Sequence, residues 1–146
     1  MATVVMATQI ARPPADVFAV LADVSKNTAW SKTSESGRLT SPPPVQVGST
    51  AREVSRFMGR RIEVDSTIVA FVQDRTLTFV TSTGPFPFRG SFTTDPADGG
   101  TLLTSEFVAE PTGLLRVVDG LFGSLIRRKF EGDLANLKRL MESNEL

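Results

Sequence analysis

The chain has 146 residues, and 40% of them are hydrophobic, which is enough for one domain with its own core. The 16 basic and 16 acidic side chains cancel, so no long-range field would gather nucleic acid or an anionic membrane. Cys, His and Tyr are all absent, which removes disulfides, thiolate chemistry and the commonest general base and metal ligand, and we therefore expect no metal and no cofactor.

The N-terminal segment does not have the pattern of a secretory signal. Residues 1–10 lack a basic start and run directly into Arg12-Pro13-Pro14. No segment approaches the roughly 18 consecutive apolar residues of a membrane span. These features predict a cytoplasmic protein without stable membrane insertion.

In chain order, the predicted elements begin with a strand and two short helices. Apolar residues alternate over 3–10, which predicts the strand. Pro13 and Pro14 mark a helix start, where missing N–H groups cost little. Residues 23–30 predict a second short helix or turn ending at Trp30, the only Trp of the chain.

Six further strands are predicted, separated by residues that favour turns. The prolines at 42–44 form a stiff loop, Gly59 marks a tight turn, and residues 95–100 are dense in turn formers. The strands fall near residues 38–40, 47–57, 60–72, 77–81, 86–94 and 101–110.

Alternation assigns a buried face to these strands. In the strand at 60–72, Glu63 and Asp65 share one face, so the opposite, aliphatic face is expected to point inward. The same period gives the full inward set: Ile62, Val64, Ser66, Ile68, Ala70, Leu77, Phe79, Thr81, Phe86, Phe88, Gly90, Phe92, Thr94, Leu103, Ser105, Phe107 and Ala109.

Residues 114–141 have a helical period and predict one long C-terminal helix with an apolar stripe that only the sheet can cover. The stripe comprises Leu114, Val118, Leu121, Phe122, Leu125, Ile126, Phe130, Leu134, Leu137 and Met141. Gly113, Gly120 and Gly123 indicate either a bent or mobile gate over a cavity, or close approach of the helix to strands or to Trp30. Arg127-Arg128-Lys129 predicts a solvated face.

This arrangement resembles the START-like helix-grip superfamily (SRPBCC), specifically its bacterial polyketide cyclase/dehydrase-like branch. The resemblance is carried by residues 10–14 with Val17-Phe18, Leu21-Ala22-Asp23, Trp30, residues 47–50, residues 59–64, Gly100-Thr101, Asp133-Leu134, Leu137-Lys138 and Leu140. It implies an α+β fold in which a curved seven-stranded antiparallel sheet wraps around the C-terminal helix, in one domain over residues 1–146. It also implies a cavity for hydrophobic ligands, although the superfamily includes carriers, receptors, cyclases and interaction proteins.

The expected ligand site lies between the strands and the long helix, where a bend in the sheet can leave an apolar gap. Its candidate residues are Trp30, Ile68, Phe79, Thr81, Phe88, Phe92, Ser105, Phe107, Val118, Leu121, Phe122 and Leu125. The alternative is that these side chains interlock as solid core. Thr81, Thr94 and Ser105 would orient ligand oxygen atoms, or simply reflect the frequency of such residues in strands.

Glu53 is the candidate catalytic residue. In the strand at 47–57 it shares a face with Ala51, whereas the opposite face holds Arg52 and Arg56. Burying one carboxylate costs less than burying two guanidinium groups, so the Glu53 face is expected to point inward, where an apolar cavity would favour a general acid. The alternative is a twisted edge strand from which Glu53 reaches water.

Three functions remain open, in this order. The first is binding or transport of a lipid, a polyketide-like molecule or an aromatic molecule, with no nucleic-acid partner. The second is a metal-free enzyme of the cyclase or dehydratase type, in which one acid moves protons. The third is a protein-interaction module, for which a homodimer is one form; an exposed apolar patch outside the cavity would favour it.

Overall fold

The computed structural model describes residues 2–57, 59–110 and 119–146. Seven strands are described: β1 Ala2–Ile10, β2 Ser34–Leu39, β3 Thr50–Phe57, β4 Arg60–Val72, β5 Thr76–Thr81, β6 Phe88–Ala97 and β7 Gly100–Ala109. The helices are α1 Pro14–Ala22, α2 Asn27–Trp30 and α3 Asp119–Glu142, with a 3₁₀ turn at Val24–Lys26 before α2. Gly113, Leu114 and Val118, which the sequence assigned to the long helix or its start, lie outside the described residues.

All seven strands form one antiparallel sheet in the order β1-β7-β6-β5-β4-β3-β2. Consecutive strands from β2 to β7 are neighbours. β1 pairs with β7 and forms the edge of the sheet opposite β2. The predicted α+β helix-grip architecture is confirmed, because this sheet carries two short helices and a long C-terminal helix.

Several strand boundaries differ from the sequence prediction, including that of β2, which spans Ser34–Leu39 rather than residues 38–40. The turn between β6 and β7 consists only of Asp98 and Gly99, whose φ angles of 49° and 77° fit the tight hairpin turn that matches strand twist. The hairpin therefore continues through positions 95–97, which the composition indicated as loop. β3 begins at Thr50 rather than at 47, because Gly48 has a φ of 93° and belongs to a turn, and β6 begins at Phe88 rather than at 86.

The predicted inward position of Ala70 is wrong, because β4 contains a bulge just before this residue. Ile68 pairs with Phe79, but Ala70 pairs with Thr78, so Val69 is the extra residue. After the bulge, Phe71 pairs with Leu77 and meets the ring of Phe18 at 5.4 Å between centroids. The inward row therefore passes from Ile68 to Phe71, and strict alternation fails at this position.

The core lies between the sheet and the helices α1 and α3. Val17, Phe18, Val20 and Leu21 are the buried stripe of α1. The second half of α3 packs on the main cluster through Leu134, Leu137 and Met141, all at most 2% exposed. The first half packs through Phe122 and Ile126 against Ala2, Val4 and Ala109 in a second cluster.

The end of β1 is tied to the end of α3 by polar contacts. Arg12 Nη1 donates to the carbonyl oxygens of Met141 at 2.8 Å and Leu146 at 3.0 Å. Glu142 Oε2 accepts from the Ala11 N–H at 2.9 Å and from Lys138 Nζ at 2.8 Å. These contacts fix the position of α3 over the sheet.

Within the described ranges, none of the helices combines the length and apolarity that crossing a membrane requires.

Candidate functional site

A cavity of about 210 Å³ lies between the inner face of the sheet and the helices α2 and α3. Strands β3 to β6 provide most of its wall, and α3 contributes Ile126, Lys129, Phe130 and Asp133. The exposed residues Arg56, Thr83 and Gly84 are also part of the lining, so the cavity reaches the surface near the β5–β6 loop.

Phenylalanine rings form the apolar wall. Phe107 and Phe130 are stacked with centroids 3.8 Å apart, and Phe88 lies parallel to them at 5.9 and 5.7 Å. Phe92 meets the edge of Phe107, and Phe79 lies 6.0 Å from Phe88. The wall therefore offers several ring faces and edges to an apolar occupant.

Gly90 makes room for one of these rings. It pairs with Phe79 on one side and with Phe107 on the other. A Cβ atom at position 90 would lie 2.5 Å from Cε1 and Cζ of Phe79. The absent side chain therefore lets the Phe79 ring lie back on the sheet and keeps the cavity open.

Glu53 faces the cavity. Its Oε2 accepts from Asn27 Nδ2 at 2.8 Å, and its Oε1 accepts from Ser55 Oγ at 3.2 Å. On the opposite face of β3, Arg52 pairs with Asp65 through contacts of 2.8 and 3.1 Å. The hydrogen bond from Arg52 is the main cause that lowers the pKa of Asp65. Arg52 thus lies away from Glu53, as the sequence argument expected, whereas Arg56 is among the residues that line the cavity.

A buried carboxylate of α3 organises the wall beside α2. Asp133 is 1% exposed and accepts from Lys129 Nζ at 2.6 Å, from Ser31 Oγ at 3.1 Å and from the Lys32 N–H at 3.1 Å. Lys129 Nζ also lies 4.6 Å from the centroid of the Phe130 ring. The lysine is therefore paired with a carboxylate in the wall. The predicted solvated face is confirmed for Arg127 and Arg128, which are exposed, and is wrong for Lys129.

Several polar atoms of the lining have no partner among the described protein atoms. They are Asn27 Oδ1, Trp30 Nε1 and Thr33 Oγ1. Their residues lie on α2 or just after it, next to the Asn27–Glu53 contact. Buried polar atoms normally have a hydrogen-bond partner, so these three atoms are exceptions in the wall beside α2.

Seven of the twelve candidate ligand residues line the cavity, together with Glu53: Trp30, Ile68, Phe79, Thr81, Phe88, Phe92 and Phe107. Trp30 is also 5% exposed and part of the main core cluster, so it both walls the cavity and caps the core. The Thr81 hydroxyl contacts the backbone of Phe88, accepting at 3.1 Å and lying 3.3 Å from its carbonyl oxygen. Thr94 does not line the cavity, and its hydroxyl donates to the Asp74 carbonyl at 2.9 Å.

The other candidates lie elsewhere. Leu121 and Leu125 are 70% and 42% exposed, because α3 turns Phe122 and Ile126 to the sheet and each residue step rotates a helical side chain by about 100°. Phe122 belongs to the second core cluster, and Ser105 is fully buried without lining the cavity. Val118 lies outside the described residues.

Gly120 and Gly123, in the first half of α3, have different surroundings. A Cβ at Gly123 would lie 3.6 Å from the Ala2 side chain, whereas one at Gly120 would meet nothing within 4 Å. Gly123 therefore lies close to β1 rather than to Trp30.

Sequence reasoning missed the polar side of the cavity: Asn27, Ser31, Thr33, Lys129 and Asp133. The α2 segment is only four residues long, which is too short for periodicity to assign a face. Asp133 did carry a signal, because it falls on the apolar stripe of α3 with Lys129 one turn earlier.

A protein-family model covers nearly the whole chain. This model, described as "Polyketide cyclase / dehydrase and lipid transport", matches residues 1–142. Comparison with curated protein sequences gave no significant match.

Solved structures share the fold at low sequence identity. TTHA0849 from Thermus thermophilus has a TM-score of 0.81 and 19% identity, over 94% of each chain. A START superfamily protein from Mycobacterium smegmatis has a TM-score of 0.74 and 13% identity, covering 99% of this chain and 97% of its own. Ara h 8.0201 has a TM-score of 0.73 and 16% identity over 97% of each chain. At these identities the likeness establishes the fold alone.

Proposed function

Because the chain belongs to the polyketide cyclase/dehydrase and lipid transport family, we propose that residues 1–146 form one START-like domain that binds a small hydrophobic molecule. The observation that carries the proposal is the cavity itself, which has a volume of about 210 Å³. Its lining is dominated by Phe and aliphatic side chains, which favour an apolar occupant.

The size of the cavity narrows the class of ligand. Drug-sized ligands occupy pockets of roughly 300 to 1,000 Å³. The smaller volume here favours a compact aromatic or polyketide-like molecule over a long-chain lipid.

Mass spectrometry of gently purified protein, combined with thermal shift against a library of small aromatic and lipid compounds, tests this proposal. We expect a bound compound or a ligand class that raises the Tm in proportion to the logarithm of its concentration. Purified protein without bound material, whose Tm no class of compound raises, would refute ligand binding.

A matched pair of variants tests whether the ligand binds in this cavity. Ser66 lines the cavity, whereas the adjacent Thr67 points to the opposite face of β4. We expect Ser66→Phe to abolish the thermal shift by filling the space and Thr67→Phe to retain it. Equal binding by both variants would place the ligand elsewhere.

Catalysis of the cyclase or dehydratase type is the second candidate function, and the position of Glu53 favours it. A carboxyl group that faces an apolar cavity, and whose side-chain hydrogen bonds among the described residues come from Asn27 and Ser55, can exchange a proton with an occupant. If a compound identified in the protein is turned over, we expect Glu53→Gln to abolish turnover with an unchanged Tm. Unchanged turnover would remove Glu53 from the mechanism.

The cytoplasmic location, the homodimer and the lack of a nucleic-acid partner stay predictions from the sequence. The exposed side chains of Leu121 and Leu125 are the apolar surface on α3 that an interaction module would use.

A further inference from the structure

Aromatic rings surround the opening of the cavity at the surface. The rings of Phe57, Phe86 and Phe122 contact one another, with centroids 5.0 to 6.4 Å apart. Phe57 and Phe86 also line the cavity, together with the exposed residues Thr83 and Gly84. The end of β3, the β5–β6 loop and the first turn of α3 therefore meet at this opening.

Two exposed leucines extend this apolar surface along α3. Leu121 is 70% exposed and Leu125 is 42% exposed. Leu125 lies three residues after Phe122 and four before Lys129, a residue of the cavity wall, so it is a neighbour of both on the helix surface. Leu121 lies one turn before Leu125. We define the mouth patch as Phe57, Phe86, Leu121 and Leu125.

Two exposed arginines border the mouth patch. Arg60 pairs with Phe57 across the β3–β4 hairpin, so both side chains lie on the same face of the sheet. Arg128 lies three residues after Leu125, which makes the two side chains neighbours on α3. Among the described residues, neither arginine belongs to an ion pair. Both guanidinium groups are therefore available to an external anion.

The acidic side chains near the patch leave it basic. Arg56 and Arg61, on the same hairpin, share Glu35 at 3.0 and 3.2 Å, so this group keeps an excess positive charge. Glu110 is exposed, and its N–H donates to the Pro87 carbonyl of the β5–β6 loop at 3.0 Å. This single carboxylate does not balance the surrounding guanidinium groups. Because the chain has no net charge, the positive excess at the mouth is local.

An exposed apolar surface bordered by unpaired arginines is complementary to a bilayer with anionic headgroups. We propose that the mouth patch docks reversibly on an anionic membrane surface. Leu121 and Leu125 enter the apolar interface, while Arg60 and Arg128 contact lipid phosphates. Docking places the opening of the cavity against the bilayer, so an apolar ligand passes between membrane and cavity without crossing water. The ligand transfer rests on the proposed function, whereas the docking does not.

The same charges argue against a second copy of the chain on this patch. In a two-fold dimer, identical patches face each other. The arginines of both copies would then be brought together, which costs free energy, whereas lipid phosphates attract them.

Flotation with lipid vesicles tests the docking. One set of vesicles contains phosphatidylcholine alone, and the other contains about 30 mol% phosphatidylglycerol as the anionic lipid. At low salt we expect at least about fivefold more bound protein on the anionic vesicles, since each arginine near the surface adds attraction. The difference should vanish near about 1 M salt, where the screening length is about 3 Å.

A fluorescent label tests which surface enters the membrane. The chain has no Cys, so a single substitution gives a single site for an environment-sensitive dye. We expect the dye at Leu121→Cys to shift to the blue on anionic vesicles. Val72→Cys is the matched control, because Val72 is 58% exposed and lies at the opposite end of β4 from Arg60. Its dye should show no shift.

Two double variants with the same net charge separate the patch from the charge of the whole chain. Arg60→Gln with Arg128→Gln removes the arginines beside the patch. Arg75→Gln with Arg139→Gln removes two exposed arginines elsewhere, which pair with Asp95 and Glu145. We expect binding to anionic vesicles to fall about tenfold in the first double variant and less than about twofold in the second. Thermal unfolding checks that both variants fold.

The outcomes distinguish docking from ligand binding. Equal binding to both kinds of vesicle, equal losses in the two double variants, or a dye at position 121 that does not respond would each overturn docking through the mouth patch. A dimer in sedimentation that Leu121→Ser dissociates, without vesicle binding, would assign the patch to a second copy and overturn it as well. Thermal shift without vesicles tests the proposed function alone, so a ligand that binds protein unable to dock leaves that function standing.

Discussion

Single residues decide whether the interior is open or filled. Gly90 leaves space for the Phe79 ring, and Asp133 neutralises Lys129 in the cavity wall. Neither role follows from hydrophobicity, because one depends on an absent side chain and the other on a charge in an apolar stripe.

Gly90→Ala should reduce the cavity. The new methyl group would push the Phe79 ring towards the ligand space, and we expect a loss of about 1 to 3 kcal/mol in the free energy of unfolding from overpacking. Ligand affinity should fall with it. Gly120→Ala is the matched control, because its Cβ meets open space and its effect should stay within about 1 kcal/mol. Chemical denaturation measures both, and equal effects would argue against the role of Gly90.

Asp133→Asn should destabilise the protein by leaving Lys129 without its partner. Because Lys129 keeps 24% side-chain exposure, we expect about 2 to 3 kcal/mol, slightly below the usual cost of opening a buried pair. Combining the change with Lys129→Met should cost less than the sum of the two single changes. A strictly additive double mutant would mean that the contact contributes no coupling energy.

Among the elements, α3 connects the sequence pattern most directly to the cavity. The pattern predicted a long helix, and its buried positions Phe122, Ile126, Leu134, Leu137 and Met141 are confirmed. Leu121 and Leu125 were indistinguishable from these by spacing, since a wide apolar stripe does not fix the rotation of a helix. Packing of Phe122 and Ile126 against β1 decides which side of the helix is buried, and it leaves Leu121 and Leu125 exposed.

The rotation of α3 can be checked with neighbouring substitutions. Ile126→Ala should cost about 2 to 4 kcal/mol because it leaves a cavity beside Ala2 and Val4. Leu125→Ala should cost less than about 1 kcal/mol because its side chain is already 42% exposed. Urea unfolding gives both values, and the reverse order would contradict the packing.

The contact between α3 and β1 should make stability depend on acid pH. The hydrogen bond from Lys138, followed by that from the Ala11 N–H, lowers the pKa of Glu142. A carboxyl group with a lowered folded-state pKa stabilises the protein above its ordinary titration range, and this contribution is lost as the pH falls through the lowered value.

We therefore expect the wild-type Tm to fall more steeply than that of Glu142→Gln between about pH 5 and pH 3, a range that begins just above the ordinary pKa of Glu and extends below it. At pH 7 the variant should have the lower Tm. Glu131→Gln, on an exposed face of the same helix, serves as the control and should follow wild type. Parallel curves for wild type and Glu142→Gln would exclude this contribution.

At the scale of the strands, alternation predicted the inward rows of β5, β6 and β7 and of β4 up to Ile68. It failed at Ala70, because a bulge depends on pairing with β5 and has no local signal in the sequence. The aromatic side of the candidate site could thus be predicted, whereas the polar side required the tertiary contact between α2, β3 and α3.

The whole molecule is organised around β7, which lies between β1 and β6. Leu103, Ser105, Phe107 and Ala109 on this strand are at most 1% exposed. Amide hydrogen exchange should therefore be slowest in β7 and fastest, among the strands, in the short edge strand β2. Protection in β2 equal to that in β7 would contradict this distribution of stability.

The order of the sheet also leaves its two outer strands unequally protected against self-association. Of the described strands, β1 and β2 are the ones with a neighbour on one side only. β2 has six residues, a register shift and the charged side chains Glu35 and Arg38, all of which discourage a further strand from joining. β1 has nine mostly apolar residues, and Val5 is 53% exposed. Fibril growth under destabilising conditions would therefore start from β1, and a lysine at position 5 would slow it.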